Sequence, residues 1–145
     1  MKKYLPLNGF VVSGADKNNF YYKICKQHEI SDEDDDEIIK YIDSVGDIQK
    51  HMTNVKAQMT EYKVKNNKHF SKVGNVAIRF GNSIAAKYYN RSIQGNLSEL
   101  WGMKYESDDF AIPHDHFPAT FSFAYYINPP KNSSLYFTDL NKEVK

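Results

Sequence analysis

The chain has 145 residues, 41% hydrophobic, 26% charged and 14% aromatic, with eleven Tyr and nine Phe; this is the size and composition of one globular domain with a core, and the aromatic content favours strands. A single cysteine, Cys25, excludes an internal disulfide, and no apolar run approaches the roughly 20 residues of a membrane span, so the chain reads as a soluble, cytoplasmic domain with no membrane partner. Nineteen basic against eighteen acidic residues leave a net charge of +1, and bulk charge therefore offers no argument for nucleic acid.

In chain order, residues 10–12 and 20–24 flank a turn-rich segment over 13–19 and read as two short strands of a hairpin. Asp32, Glu33, Asp34, Asp35, Asp36 and Glu37 then form an unbroken acidic run. The run reads as a helix start. Ser31 is a good N-cap, Asp34 stands at the capping-box position, and carboxylates in a first turn favour the positive end of the helix dipole. The alternating ligand spacing and central glycine of a calcium loop are missing. Ile38, Ile39, Ile42 and Val45 follow on one face, and Gly46 ends the helix.

Lys50, Lys56, Lys63, Lys65, Lys68 and Lys72 come next without interleaved aromatics, as a solvated face rather than a nucleic-acid patch. Phe70, Val73, Ala77, Phe80, Ile84 and Tyr88 step by three or four along the apolar face of a long helix. Gly74 and Gly81 each cost that helix about 1 kcal/mol relative to Ala, which implies close packing against a neighbour.

After Asn96 the period shortens to two. Leu97, Trp101, Met103 and Tyr105 fall on one face of a strand, Phe121, Phe123, Tyr125 and Ile127 on one face of another, and Leu135 and Phe137 begin a third. Asp108-Asp109 and residues 128–132 supply the turns. Helices first and antiparallel-looking strands second give an α+β class: one domain over 1–145, a helical support region with short N-terminal strands over 1–95, and the strands over 96–145.

One constellation carries chemistry. In residues 112–118, Ile-Pro-His-Asp-His-Phe-Pro, an extended backbone projects His114 and His116 from the same face and Asp115 from the other. Two imidazoles so placed can chelate one divalent metal, and imidazole suits iron, zinc, copper and nickel. The flanking prolines stiffen the segment. His28, His51 and His69 lie in polar or helical contexts and read as solvated, and Cys25 reads as a small buried hydrophobe. No Gly-rich phosphate loop, nucleophile elbow or CxxC is present.

The stretches 100–105 (Leu-Trp-Gly-Met-Lys-Tyr), 113–119 (Pro-His-Asp-His-Phe-Pro-Ala) and 121–130 (Phe-Ser-Phe-Ala-Tyr-Tyr-Ile-Asn-Pro-Pro) resemble the 2-oxoglutarate- and iron(II)-dependent oxygenase-like family of phage proteins, within the prolyl-hydroxylase-like superfamily. Residues 55–62 (Val-Lys-Ala-Gln-Met-Thr-Glu-Tyr) are similar to a segment those proteins carry. The resemblance implies a double-stranded β-helix, a jelly roll of about eight strands with helices packed on one sheet. It further implies iron(II), with 2-oxoglutarate as cosubstrate, at one mouth of that fold. His114 matches the first ligand, and His116 stands where the family carries a carboxylate. A distal His on another strand would complete a three-histidine set, whose neutral donors leave the iron more positive. Tyr105 matches a tyrosine that reaches the cosubstrate near the metal, and Tyr125 one that hydrogen-bonds its far carboxylate. Trp101 and Phe117 would line the substrate mouth.

In relatives the distal His and the basic residue that grips 2-oxoglutarate lie several strands further on. Here 29 residues follow His116 (145 − 116) and none is His or Arg; Lys131, Lys142 and Lys145 are poorly placed for that grip. The expectation is a hydroxylase-type oxygenase, or its derivative truncated at the C-terminus, acting on a small-molecule or protein substrate, in the host cytoplasm if phage-encoded. The same residues admit two alternatives: a non-catalytic jelly-roll remnant with a binding or structural role, and a three-histidine cupin-like metalloprotein. Unpaired strand edges in half a barrel favour a homo-oligomer.

Overall fold

In the computed structural model, which describes residues 10–13, 30–48, 54–92 and 94–129, the acidic run opens helix α1 (Asp32–Val45). The Ser31 hydroxyl accepts from the Asp34 N–H at 3.1 Å, and the Asp34 carboxylate accepts from the Ser31 N–H at 2.9 Å, so the capping box is complete. Ile38 and Ile42 are buried, with Ile39 and Val45 half-buried on their flanks. Gly46 ends the helix at φ 67°, a conformation that favours a residue without Cβ.

Helix α2 (Lys68–Tyr89) starts at Asn67, whose side-chain oxygen accepts from the N–H groups of His69 and Phe70 at 3.0 and 3.4 Å. Phe70, Val73 and Ala77 are buried as the stripe predicts, joined by Val76. Beyond Ala77 the buried positions become Gly81 and Ala85, while Ile84 is exposed. The apolar face therefore turns toward small residues where the strand segment around Phe121 crosses it. Gly74 meets its expectation, since a Cβ there would lie 2.7 Å from Leu97 Cδ2. Gly81 corrects it: its nearest neighbour, Phe121 Cδ2, would stand 3.9 Å away, an ordinary contact.

The strands are β1 (Phe10–Ser13), β2 (Val55–Lys56), β3 (Gln58–Met59), β4 (Met103–Lys104), β5 (Phe110–Ala111) and β6 (Phe123–Tyr126), with a 3-10 turn at Val64–Asn66. They form three two-stranded ladders. β2 pairs antiparallel with β5 (Val55 opposite Ala111) and β3 antiparallel with β4 (Met59 opposite Met103). Further backbone bonds extend this pairing, from Ile112 N–H to Asn54 O at 2.8 Å and from Leu100 N–H to Tyr62 O at 3.0 Å. β1 pairs parallel with β6, in register from Phe10 opposite Phe123. The strand expected over 20–24 lies outside the described residues, as do Cys25, His28, Lys50, His51, Lys131, Leu135, Phe137, Lys142 and Lys145. The class is α+β, and among the described residues the strands close no barrel.

A main core joins Ile38 and Ile42 of α1 to Phe70, Val73 and Val76 of α2, with Ile30, Val64 and Leu100. Phe123, Tyr125 and Ile127 pack against it, as their alternation predicts. A second cluster, Val55, Ala57 and Met59 with Tyr62 and Trp101, lies in the antiparallel ladder. Of the face expected over 97–105, Leu97 packs on the main core and Trp101 on the second cluster, while Met103 and Tyr105 correct the expectation. Leu100 and Gly102 point inward, while Met103 and Tyr105 are 40% and 46% exposed. The cause is local: a Cβ on Gly102 would stand 2.6 and 2.7 Å from Ile42 Cγ1 and Cδ1 and 3.0 Å from Phe70 Cζ. Only a glycine lets both helices approach the strand there.

Candidate metal centre

Every residue from 110 to 120 is exposed, so the shape of the histidine segment rests on backbone bonds rather than on burial. The ladder anchors its start through Ile112 N–H. The Asp115 carboxylate accepts from the Phe117 N–H at 3.2 Å, and the His116 carbonyl accepts from the Ala119 N–H at 2.8 Å. The His114 Nδ1 lies 2.6 Å from the Ile112 carbonyl oxygen. A carbonyl only accepts, so Nδ1 carries the proton and Nε2 of the neutral ring keeps its lone pair free. Metal-ligating histidines are commonly oriented by such a bond from their other nitrogen.

The His114 and His116 rings stand 4.9 Å apart, centre to centre, at 79°. With a metal–nitrogen bond of about 2.0 Å and a ring radius of about 1.2 Å, imidazoles bound cis on one ion would hold their centres about 4.5 to 5.2 Å apart. The spacing matches two neighbouring positions of one coordination shell, and it is equally that of two rings in edge-to-face contact. His116 also lies 5.6 Å from the Trp101 ring at 49°, and Trp101 meets Tyr62 edge-on at 5.2 Å. A half-buried indole rooted in the second core cluster thus braces one candidate ligand. Loss of hydration beside neighbouring atoms, the Trp101 ring among them, pushes the exposed His116 imidazole below its ordinary range; the charge of His114 acts the same way, against Asp115 and Glu99.

Trp101, His116 and His114 come together, and Phe117 follows them along the chain with 89% of its surface exposed. Tyr105 is placed on the exposed side, its hydroxyl 3.8 Å from Met103 Sδ. Partial loss of hydration raises its pKa first, with Tyr126 and Asp109 adding to the effect. Tyr125 faces the main core and its hydroxyl donates to Asp35 Oδ1 of α1 at 2.8 Å. Among the described residues no three His, Cys, Asp or Glu side chains gather where they could hold a metal. No described helix is long and apolar enough to cross a membrane.

The structure corrects the sequence reading at His69, expected in solvent; Lys72 is exposed as expected, yet its ammonium reaches a buried partner. His69 is buried and its Nδ1 lies 2.7 Å from Asp34 Oδ1; Lys72 Nζ donates to both Asp34 oxygens at 2.9 and 2.8 Å. Burial of Asp34 favours its neutral form, but the bonds from Lys72, Ser31 and His69 outweigh it and hold the carboxyl well below the usual range. The physical reason is that the capping-box carboxylate has a second oxygen to satisfy, and α2 presents His69 and Lys72 three residues apart on one face toward it. No pattern local to either helix signals the contact, which depends on how the two helices approach. Set against family models, curated proteins and solved structures, the chain has no significant match.

Proposed function

We propose that the chain is an iron(II)- and 2-oxoglutarate-dependent oxygenase-like protein of the hydroxylase type, its strands part of a jelly roll, with His114 and His116 as two iron ligands. The observation that carries this reading is the 4.9 Å ring spacing together with the Nδ1 bond that frees His114 Nε2. Bound there, iron would supply the redox chemistry, with dioxygen as oxidant giving one oxygen atom to succinate as 2-oxoglutarate loses carbon dioxide and the other to a second substrate as hydroxyl. The chain's own residues bind and orient. The lowered pKa of His116 favours the neutral ring, the form with a lone pair for a metal. Trp101 packs on that ring and restricts its rotation. The Tyr105 hydroxyl is the contact offered to the cosubstrate. Tyr125 has one hydroxyl proton and gives it to Asp35, so it reaches a cosubstrate carboxylate only by releasing α1. Phe117 and Trp101 line the open side.

Anaerobic addition of iron(II) and 2-oxoglutarate tests the site: a weak visible charge-transfer band is expected, with succinate released on admitting air. His114→Ala and His116→Ala are each expected to abolish both signals. A band without succinate would leave a metal-binding protein without turnover, the cupin-like or remnant reading. No iron binding at all would end both metal readings.

A further inference from the structure

We propose that a second copy of this chain completes the metal site: one divalent ion is held across a two-fold axis by His114 and His116 of each copy. The proposal rests on the reading of these two histidines as metal ligands and adds the partner that closes their shell.

Three observations support it. The pair stands on an open surface, with every residue from 110 to 120 exposed, so an ion bound there is approachable by another molecule from its free side. The same run carries apolar side chains that water covers in the single chain: Phe117 is 89% exposed, and Phe110 and Ile112 are 53% exposed. Exposed apolar surface beside a ligand pair is what a partner would bury. The two imidazoles, spaced for adjacent positions on one ion, supply half of the tetrahedral nitrogen shell that zinc prefers. A two-fold axis through the ion doubles any such half-shell, because an isologous contact presents the same patch from both sides.

Charge favours the arrangement as well. The net charge of +1 per chain sets up little repulsion between copies. The two Asp115 carboxylates, one per copy and each beside the ligand pair, offset the double charge of the ion. Around zinc, which prefers four ligands, a shell of four imidazoles has no open position for 2-oxoglutarate. The bridged dimer is therefore a closed form of the site, and dissociation to the single chain opens it.

Sedimentation of the full chain with and without zinc(II), with metal content measured on the separated species, tests the inference. A monomer in EDTA should become a dimer holding about one zinc ion per two chains. His114→Ala and His116→Ala should each abolish zinc-dependent dimerisation. Phe117→Ser should weaken the zinc-loaded dimer at least tenfold while leaving the helical circular dichroism unchanged. One zinc ion on a chain that stays monomeric would overturn the bridge yet leave the histidines standing as metal ligands. A dimer that persists in EDTA and in both histidine variants would also overturn it. No zinc binding would overturn the bridge together with the metal reading.

Discussion

Asp34 belongs at once to a helix cap and to an interhelical ion pair, and removing its charge separates the two roles. Asp34→Asn keeps a side chain able to accept from Ser31 but leaves buried His69 and half-exposed Lys72 without their anion. The cost should be about 3 kcal/mol at neutral pH, the low end for breaking a buried pair because Lys72 regains water. Asp34 has a depressed pKa in the fold, so its contribution is complete above the ordinary carboxylate value near about 3.9 and is lost as pH falls below it. Urea midpoints measured down the acid range should fall steeply in the native chain and less steeply in Asp34→Asn; parallel curves would remove Asp34 from the acid response. His116 makes a second case. Loss of hydration is the larger cause of its lowered pKa and His114 the next. In His114→Ala the His116 titration followed by NMR should move upward, toward the ordinary value of about 6.5. A titration unmoved by His114→Ala would mean the two rings do not sense each other.

The two glycines of α2 look equivalent in sequence and differ in the fold, so replacing each by Ala should have opposite signs. At Gly74 the new methyl would meet Leu97 at 2.7 Å and Leu100 at 3.4 Å, and Leu100 is core; a loss of about 1–3 kcal/mol is expected from overpacking. At Gly81 it would meet only Phe121, at 3.9 Å, and the helix-propensity gain of about 1 kcal/mol should survive. Thermal melts of Gly74→Ala and Gly81→Ala check this, and equal shifts would contradict the packing. The contrast marks what was legible in the sequence. Ser31, Asp34 and Gly46 act through neighbours within one turn, so cap, first turn and stop were readable from local chemistry. The alternation of Phe123, Tyr125 and Ile127 was readable for the same reason. The end of the face over 97–105, Met103 and Tyr105, was misread because the chain is inward at a glycine. Gly102 adds nothing to a hydrophobic pattern, yet Ile42 and Phe70 close over it, and the larger Met103 and Tyr105 drew the face to the wrong side. The candidate metal ligands were legible because His114 and His116 stand two residues apart in the sequence. The His69–Asp34 contact was not, since it joins two helices whose approach no local pattern specifies.

At the scale of the molecule, the two apolar clusters share one short segment. Leu100 closes the main core and Trp101 the second cluster, with Gly102 pressed beneath α1 and α2 immediately after. Polar contacts join the same parts: Tyr41 donates to Glu61 at 2.6 Å, and Lys104 pairs with Asp43 at 2.7 Å. The buried segment couples the clusters more strongly than the exposed Lys104 pair, which contributes little by itself. A chain tied this way should unfold as one unit. Trp101 is the single tryptophan, so fluorescence reports the second cluster while helical circular dichroism reports α1 and α2. In urea the two signals should trace one transition. Ile42→Ala, which empties the main core where it meets Gly102, should lower stability by about 2–5 kcal/mol and move both signals by the same amount. If Trp101 instead kept its native midpoint while the helical signal shifted, the antiparallel ladder that carries His114 and His116 would be a separate folding unit. The histidine segment would then keep its shape without the helices, against the shared core described above.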